Sequence, residues 1–257
     1  MVHLGALPGS VRDRGDFDSV LVRAIEDAEA LVAGGADALM VENFFDAPFA
    51  KTQVPPVTVA ALARAVLAVR SVAGVLPVGV NCLRNDGVAA MGIAHATGAR
   101  FIRVNVYVGA AVTDQGIIEG IARDVQRTRR ELGADVAVWA DVHVKHARPL
   151  GDGRESIGDA ARDAVARGLA DALVVSGAAT GAGTPIEAVR CVAEAVPGVP
   201  VLVGSGFDAA SAGSLLAAGA AGAIVGTSIK RGRVVDAPVD ADAVRALRAA
   251  LGFQETS

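Results

Sequence analysis

Apolar and polar positions along the chain follow two periods in turn. Ala-rich stretches of helical character each end at a glycine, and a short β-branched run follows. "GGADALMVEN" begins at Gly34, "GARFIRVNV" at Gly98, "GADVAVWADV" at Gly133, "GLADALVVSG" at Gly168 and "GAAGAIVGTS" at Gly219. A glycine just past a helix supplies the left-handed position that ends it. A short continuous Val-rich run is how a buried parallel strand reads. Two more runs, "GVLPVGVN" from Gly74 and "GVPVLVGSG" from Gly198, have a different lead-in. With the opening "MVHLG" they make eight strands separated by seven helices, and a final helix covers roughly Asp240 to Leu251. Asp240 is a good N-cap, Asp208 caps another helix, and "TPIE" reads as a capping box with Thr184 at the N-cap, Pro185 at N1 and Glu187 at N3.

Eight alternating units in 257 residues predict a single (β/α)8 TIM barrel spanning residues 1–257, with residues 252–257 a disordered tail. An open doubly wound sheet is the alternative. Its dinucleotide-binding version is weakened because no GxGxxG follows the first strand. That strand starts at residue 1 or 2, as in a chain trimmed at its N-terminus or read from a late start codon.

Side chains alternate along a strand, so the apolar set assigns the outer face and the rest point inward. In the fifth strand Val142 and Val144 face the helices, placing Asp141, His143 and Lys145 inside. The fourth sends Arg103, Asn105 and Tyr107 inward, the third Asn81, the second Met40 and Glu42, the first His3 and the sixth Ser176. Barrels of this kind build active sites at the C-terminal ends of their strands. Burying ionisable groups costs several kcal/mol unless they are paired, so the cluster reads as a charge network kept for chemistry. The candidate catalytic residues are Glu42, Asn81, Asn105, Asp141, His143 and Lys145. Arg103 is read as neutralising Glu42 or Asp141, and His3 as a core histidine. A divalent metal on Glu42, Asp141 and His143 stays open as a cofactor.

The seventh and eighth strands end in "VGSGF" and "VGTSIK". Gly204, Ser205 and Gly206, with Gly226, Thr227 and Ser228, offer backbone N–H donors where many barrels bind phosphate. The loop "SGAATGAGTP" after the sixth strand reads as a cover or a source of further amides. "NFFDAPFAKTQVPP" reads as a lid or subunit contact with exposed Phe44, Phe45 and Phe49.

Composition narrows the partners. Hydrophobic residues make up 52% and aromatics 4%, which favours helices packed on a Val-rich sheet. A net charge of −4 carries no nucleic-acid footprint. Lys230, Arg231 and Arg233 form the dense basic patch outside helices and read as a solvated loop. Cys82 and Cys191 match no metal spacing and are expected to be free thiols of a reducing cytosol. No signal-peptide pattern opens the chain. The apolar run Leu215 to Val225 is broken by Gly219 and Gly222 and is too short to span a membrane. The expectation is a cytoplasmic protein that self-associates through an Ala-rich exterior.

"VENFFDAPF" at 41–49, "PVGVNCLRND" at 77–86, "GARFIRVNVYVGA" at 98–110 and "ADVHVKHA" at 140–147 resemble the signature blocks of the BtpA/SgcQ family. "HLGALPGS" at 3–10 and "SGAATGAGTP" at 176–185 fit it as well, and the resemblance runs from residue 3 to about 230. Cys82, and the Gly5–Ala6 pair where a Pro-rich dipeptide is usual, depart from the pattern. The resemblance implies a phosphate-binding barrel of the ribulose-phosphate type. One branch of the family is named for photosystem I accumulation in cyanobacteria, and another is linked to sugar utilisation. Two functions follow as expectations. One is an enzyme with lyase, isomerase or glycosidic-bond chemistry on a small phosphorylated metabolite, a sugar phosphate or nucleotide-like compound. The other is a non-catalytic peripheral assembly or stability factor.

Overall fold

The computed structural model describes residues 1–150, 155–177 and 183–251. The expected tail and the centre of the "SGAATGAGTP" loop lie outside the described residues. Eight parallel strands form one sheet: β1 (Val2–His3), β2 (Leu39–Glu42), β3 (Val78–Asn81), β4 (Phe101–Val104), β7 (Ala137–Val142), β9 (Ala172–Val175), β10 (Val201–Val203) and β11 (Gly222–Ala223), paired in that order. Eight helices follow them: α1 (Phe17–Ala33), α2 (Pro56–Ala73), α3 (Gly87–Thr97), α4 (Ala122–Leu132), α5 (Ile157–Ala166), α6 (Ile186–Ala195), α7 (Ala209–Ala217) and α8 (Ala241–Ala250). The sheet curls into a (β/α)8 barrel. Its seam is drawn together where the Met1 nitrogen donates to the Val225 carbonyl at 2.9 Å.

The outer face of the strands is aliphatic, as the alternation predicts. Val41, Val80, Ile102, Val138 and Leu173 are fully buried against the helices. Inside, the lower half of the barrel is apolar, with Met40, Phe101, Val174 and Ile224 packed together. Phe101 stacks on Trp139 with ring centroids 3.8 Å apart. Gly79 is required here, because a Cβ on it would intrude into the Phe101 ring. The upper half is polar, and that layering positions the site.

α2 is the one described helix long and apolar enough to cross a membrane, yet it lies between β2 and β3 with Leu62, Val66 and Val69 fully buried. The run Leu215 to Val225 divides between α7 and β11. Asp240 and Asp208 cap their helices as expected, Asp208 in a capping box with Ser211.

Several expectations are corrected. Thr184 does not cap α6: Pro185 occupies that position, and the Thr184 hydroxyl instead donates to the Ser205 carbonyl at 2.9 Å. At the end of α5 the left-handed residue is Leu169 (φ 58°), not Gly168. Gly168 is needed for close approach, since a Cβ would meet the Tyr107 ring at 2.7 Å. Lys230 is not in a solvated loop. It is 3% exposed and its ammonium lies 2.9 Å from Asp27, which also accepts from the Val239 amide. Phe44, Phe45 and Phe49 are half-buried rather than exposed, and Phe44 stacks on His3 at 4.3 Å. A second, antiparallel sheet appears between β4 and α5, built from β5 (Ala110–Thr113), β6 (Gly116–Glu119) and β8 (Ala147–Pro149).

Candidate functional site

The strand period carries Glu42, Asn81, Arg103 and Asp141 to the upper inner face of the barrel. Glu42 is buried and accepts from the Asn81 amide at 2.6 Å. The Arg103 Nε donates to both Asp141 oxygens, at 3.1 and 3.2 Å, and its Nη2 donates to Oδ1 at 2.9 Å. The Asn105 amide nitrogen adds a donor to the Asp141 Oδ2 at 2.6 Å. Burial opposes the Arg103 charge, but the Asp141 and Glu42 carboxylates outweigh it and hold its pKa above the ordinary guanidinium value. Every strong acceptor position on Asp141 is thus occupied, which makes it the anchor of Arg103.

A cavity of about 140 Å³ opens beside this network. Glu42, Arg103, Lys145 and His3 line one side, and the predicted phosphate loops line the other. All six predicted phosphate-loop residues, Gly204, Ser205, Gly206, Gly226, Thr227 and Ser228, border it. Two of their hydroxyls are already engaged: Ser205 Oγ accepts from the Gly177 amide and Ser228 Oγ donates to the Phe207 carbonyl, both at 2.8 Å. The amides of Gly206, Gly226 and Thr227 have no partner among the described residues. These three residues, with Arg233, Arg103 and Lys145, bring hydrogen-bond donors to the lining of the cavity.

Arg233 belongs to this cavity although the sequence reading placed it on a solvated loop. Its left-handed backbone (φ 57°) turns it to the rim, where its guanidinium lies 3.8 Å from Asp208. The signal missed was position: this chain segment directly follows the second phosphate loop. Lys145 makes no ion pair among the described residues, and burial followed by the nearby Arg103 charge lowers its pKa. His3 lines the same cavity, its buried Nδ1 without a partner among the described residues, and burial, then the N-terminal amine and Lys230, push its pKa well below the imidazole norm.

Asn105, Asp141 and His143 border a second cavity, of about 100 Å³, beneath the antiparallel sheet. The chain leaves β7 at Val142, and His143 takes a left-handed conformation (φ 51°). The strand alternation therefore stops one residue too early to aim His143 at Glu42. Tyr107 is likewise turned away, its hydroxyl donating to the Gly168 carbonyl and accepting from Gln126. The suggested metal trio does not converge: Glu42 and His143 face different cavities, and Asp141 is held by Arg103. No cluster of three such ligands forms among the described residues.

Comparison with known proteins gives a consistent relationship. A family model described as the BtpA family matches residues 1–251. The chain is 47% identical over 240 residues to the Photosystem I biogenesis protein BtpA of Synechocystis sp., covering 93% of this chain and 82% of that one. It is 50% identical over 247 residues to an uncharacterized protein of Thermococcus kodakarensis, covering 96% and 92%. Among solved structures it resembles thiamine phosphate pyrophosphorylase from Pyrococcus furiosus, with a TM-score of 0.60, 16% identity and 89% of each chain covered. At that identity the likeness is one of fold.

Proposed function

The chain belongs to the BtpA family, and on that premise we propose that it is an enzyme acting on a small phosphorylated metabolite by proton transfer at the barrel mouth. One observation carries this reading: Glu42 and Lys145 share a cavity with two small-residue loops in which the amides of Gly206, Gly226 and Thr227 have no partner among the described residues. The amides of Gly206, Gly226 and Thr227 bind the phosphate, and Arg233 closes over it. Arg103, fixed by Asp141, supplies a second positive charge that does not reorient during reaction. Glu42, steered by Asn81, takes a proton from a carbon or hydroxyl of the bound molecule. Lys145, whose buried amine gives up its proton more readily than a solvated one, returns a proton to the developing oxyanion. This step is shared by lyase, isomerase and glycosidic-bond chemistry. The solved thiamine phosphate pyrophosphorylase supports the phosphorylated class by its name and shared fold.

The test is thermal unfolding with inorganic phosphate and with a panel of sugar phosphates and nucleotides, each with and without a divalent metal. Stabilisation of about 2.7 kcal/mol is expected at a hundredfold excess over Kd, and it falls at least tenfold in affinity for Arg233→Ala. No shift with phosphate or any phosphorylated compound would overturn the proposal.

The name of the Synechocystis relative, a photosystem I biogenesis protein, favours a second reading, an accessory factor in the assembly of a larger complex. A Glu42→Gln, Lys145→Ala double variant that keeps full biological function decides for it.

A further inference from the structure

The second cavity differs from the first in its charged lining. The phosphate cavity mixes Arg103, Lys145 and Arg233 with the carboxylates of Glu42 and Asp208, whereas the acidic groups of the second, Asp141, Glu155 and Asp163, have no lysine or arginine beside them in its wall, and its other polar side chains are Asn105, Tyr107 and His143. The rest of its wall is apolar, including Val106, Val108, Ala111, Val142, Val144 and Leu150. Two polar atoms there are buried without a partner among the described residues, Asn105 Oδ1 and His143 Nε2. Asn105 is 3% exposed, and its orientation is fixed. Its amide nitrogen must face Asp141, because a carboxylate accepts and does not donate, so Oδ1 is left as a buried acceptor. Leaving such an atom buried is unfavourable unless a donor reaches it.

We propose that this cavity is a binding site for a small apolar ring carrying N–H donors, an amino-substituted nitrogen heterocycle. The ring lies between the β5–β6–β8 sheet and the end of β7, in contact with Val106, Ala111 and Val144. One N–H meets Asn105 Oδ1, and a second donor meets Glu155. His143 bonds the ring from the other side through Nε2. Burial lowers the His143 pKa, so at neutral pH the imidazole is uncharged and adds no cation to an acceptor-lined space. A polyol fits less well, since its many hydroxyls would lie against aliphatic wall. An anion is disfavoured by the three carboxylates.

The experiment titrates the full chain with 2-aminopyridine and adenine, using pyridine as the ring without an N–H, and follows binding by calorimetry. The amino-substituted rings are expected to bind at least tenfold more tightly than pyridine. Ala111→Leu, which fills the cavity, and His143→Asn, which tolerates the left-handed backbone, each weaken them at least tenfold. Inorganic phosphate affinity stays unchanged in both variants and reports that the barrel is intact. Equal binding of all three rings, or full affinity in the Ala111→Leu variant, overturns the proposal. Ring binding without any phosphate binding would count against the proposed phosphate chemistry while leaving this site standing.

Discussion

Replacing Asp141 by asparagine removes the counter-charge of Arg103 while leaving the guanidinium buried. Breaking such a pair from one side costs about 3–5 kcal/mol, so urea unfolding of Asp141→Asn is expected to show a loss of that size. Glu42→Gln is different: the Asn81 amide still finds an acceptor, stability changes by about 1 kcal/mol or less, and turnover is lost. The contrast separates an anchoring carboxylate from a reacting one. His3 makes a pH prediction. Its folded pKa is depressed, so the native state stays unprotonated where the unfolded chain, titrating near 6.5, takes up a proton. Stability is therefore complete above pH 6.5 and falls on acidification, by at most about 1.4 kcal/mol per pH unit from this residue. His3→Phe keeps the ring on Phe44, and its unfolding free energy should fall less steeply between pH 6.5 and 5. An equally steep fall would remove His3 as the source.

At the level of elements, Asp27 ties α1 to the segment that carries Arg233. It accepts from Lys230 and from Val239, on either side of that arginine. Asp27→Asn leaves a buried ammonium without its charge partner and is expected to cost about 3–5 kcal/mol. Phosphate affinity should drop with it, although residue 27 touches no part of the cavity. Calorimetric titration with phosphate below the melting range checks this. The sequence gives no hint of the tie, because Lys230 sits among arginines and its partner is 203 residues away. All eight barrel strands, by contrast, were legible: seven are short apolar runs entered from a helix that ends near a glycine, and the first is read from the opening "MVHLG" alone. Glu42, Asn81, Arg103 and Asp141 were legible for the same reason: inside a strand the period of two holds without exception. It fails for His143 and Tyr107, which lie beyond the last ladder bond. The β5–β6–β8 sheet was missed because Ala110 to Glu119 carries glycine and mixed polarity in place of a Val-rich run.

For the molecule as a whole, the barrel is layered along its axis. An aromatic and aliphatic plug from Met40, Phe101, Trp139 and Val174 fills the lower part, and the charged ring sits on it. The plug excludes water from beneath, so the fixed charges above it act in a medium less polarisable than solvent. The match to the BtpA family spans residues 1–251 and so takes in the whole of this layered barrel.

The Arg103–Asp141 pair stands between the two cavities with its guanidinium towards one and its carboxylate bordering the other. A wall built from a fixed dipole gives each chamber its own electrostatic preference: negative charge gains against the guanidinium side, and hydrogen-bond donors gain against the carboxylate side.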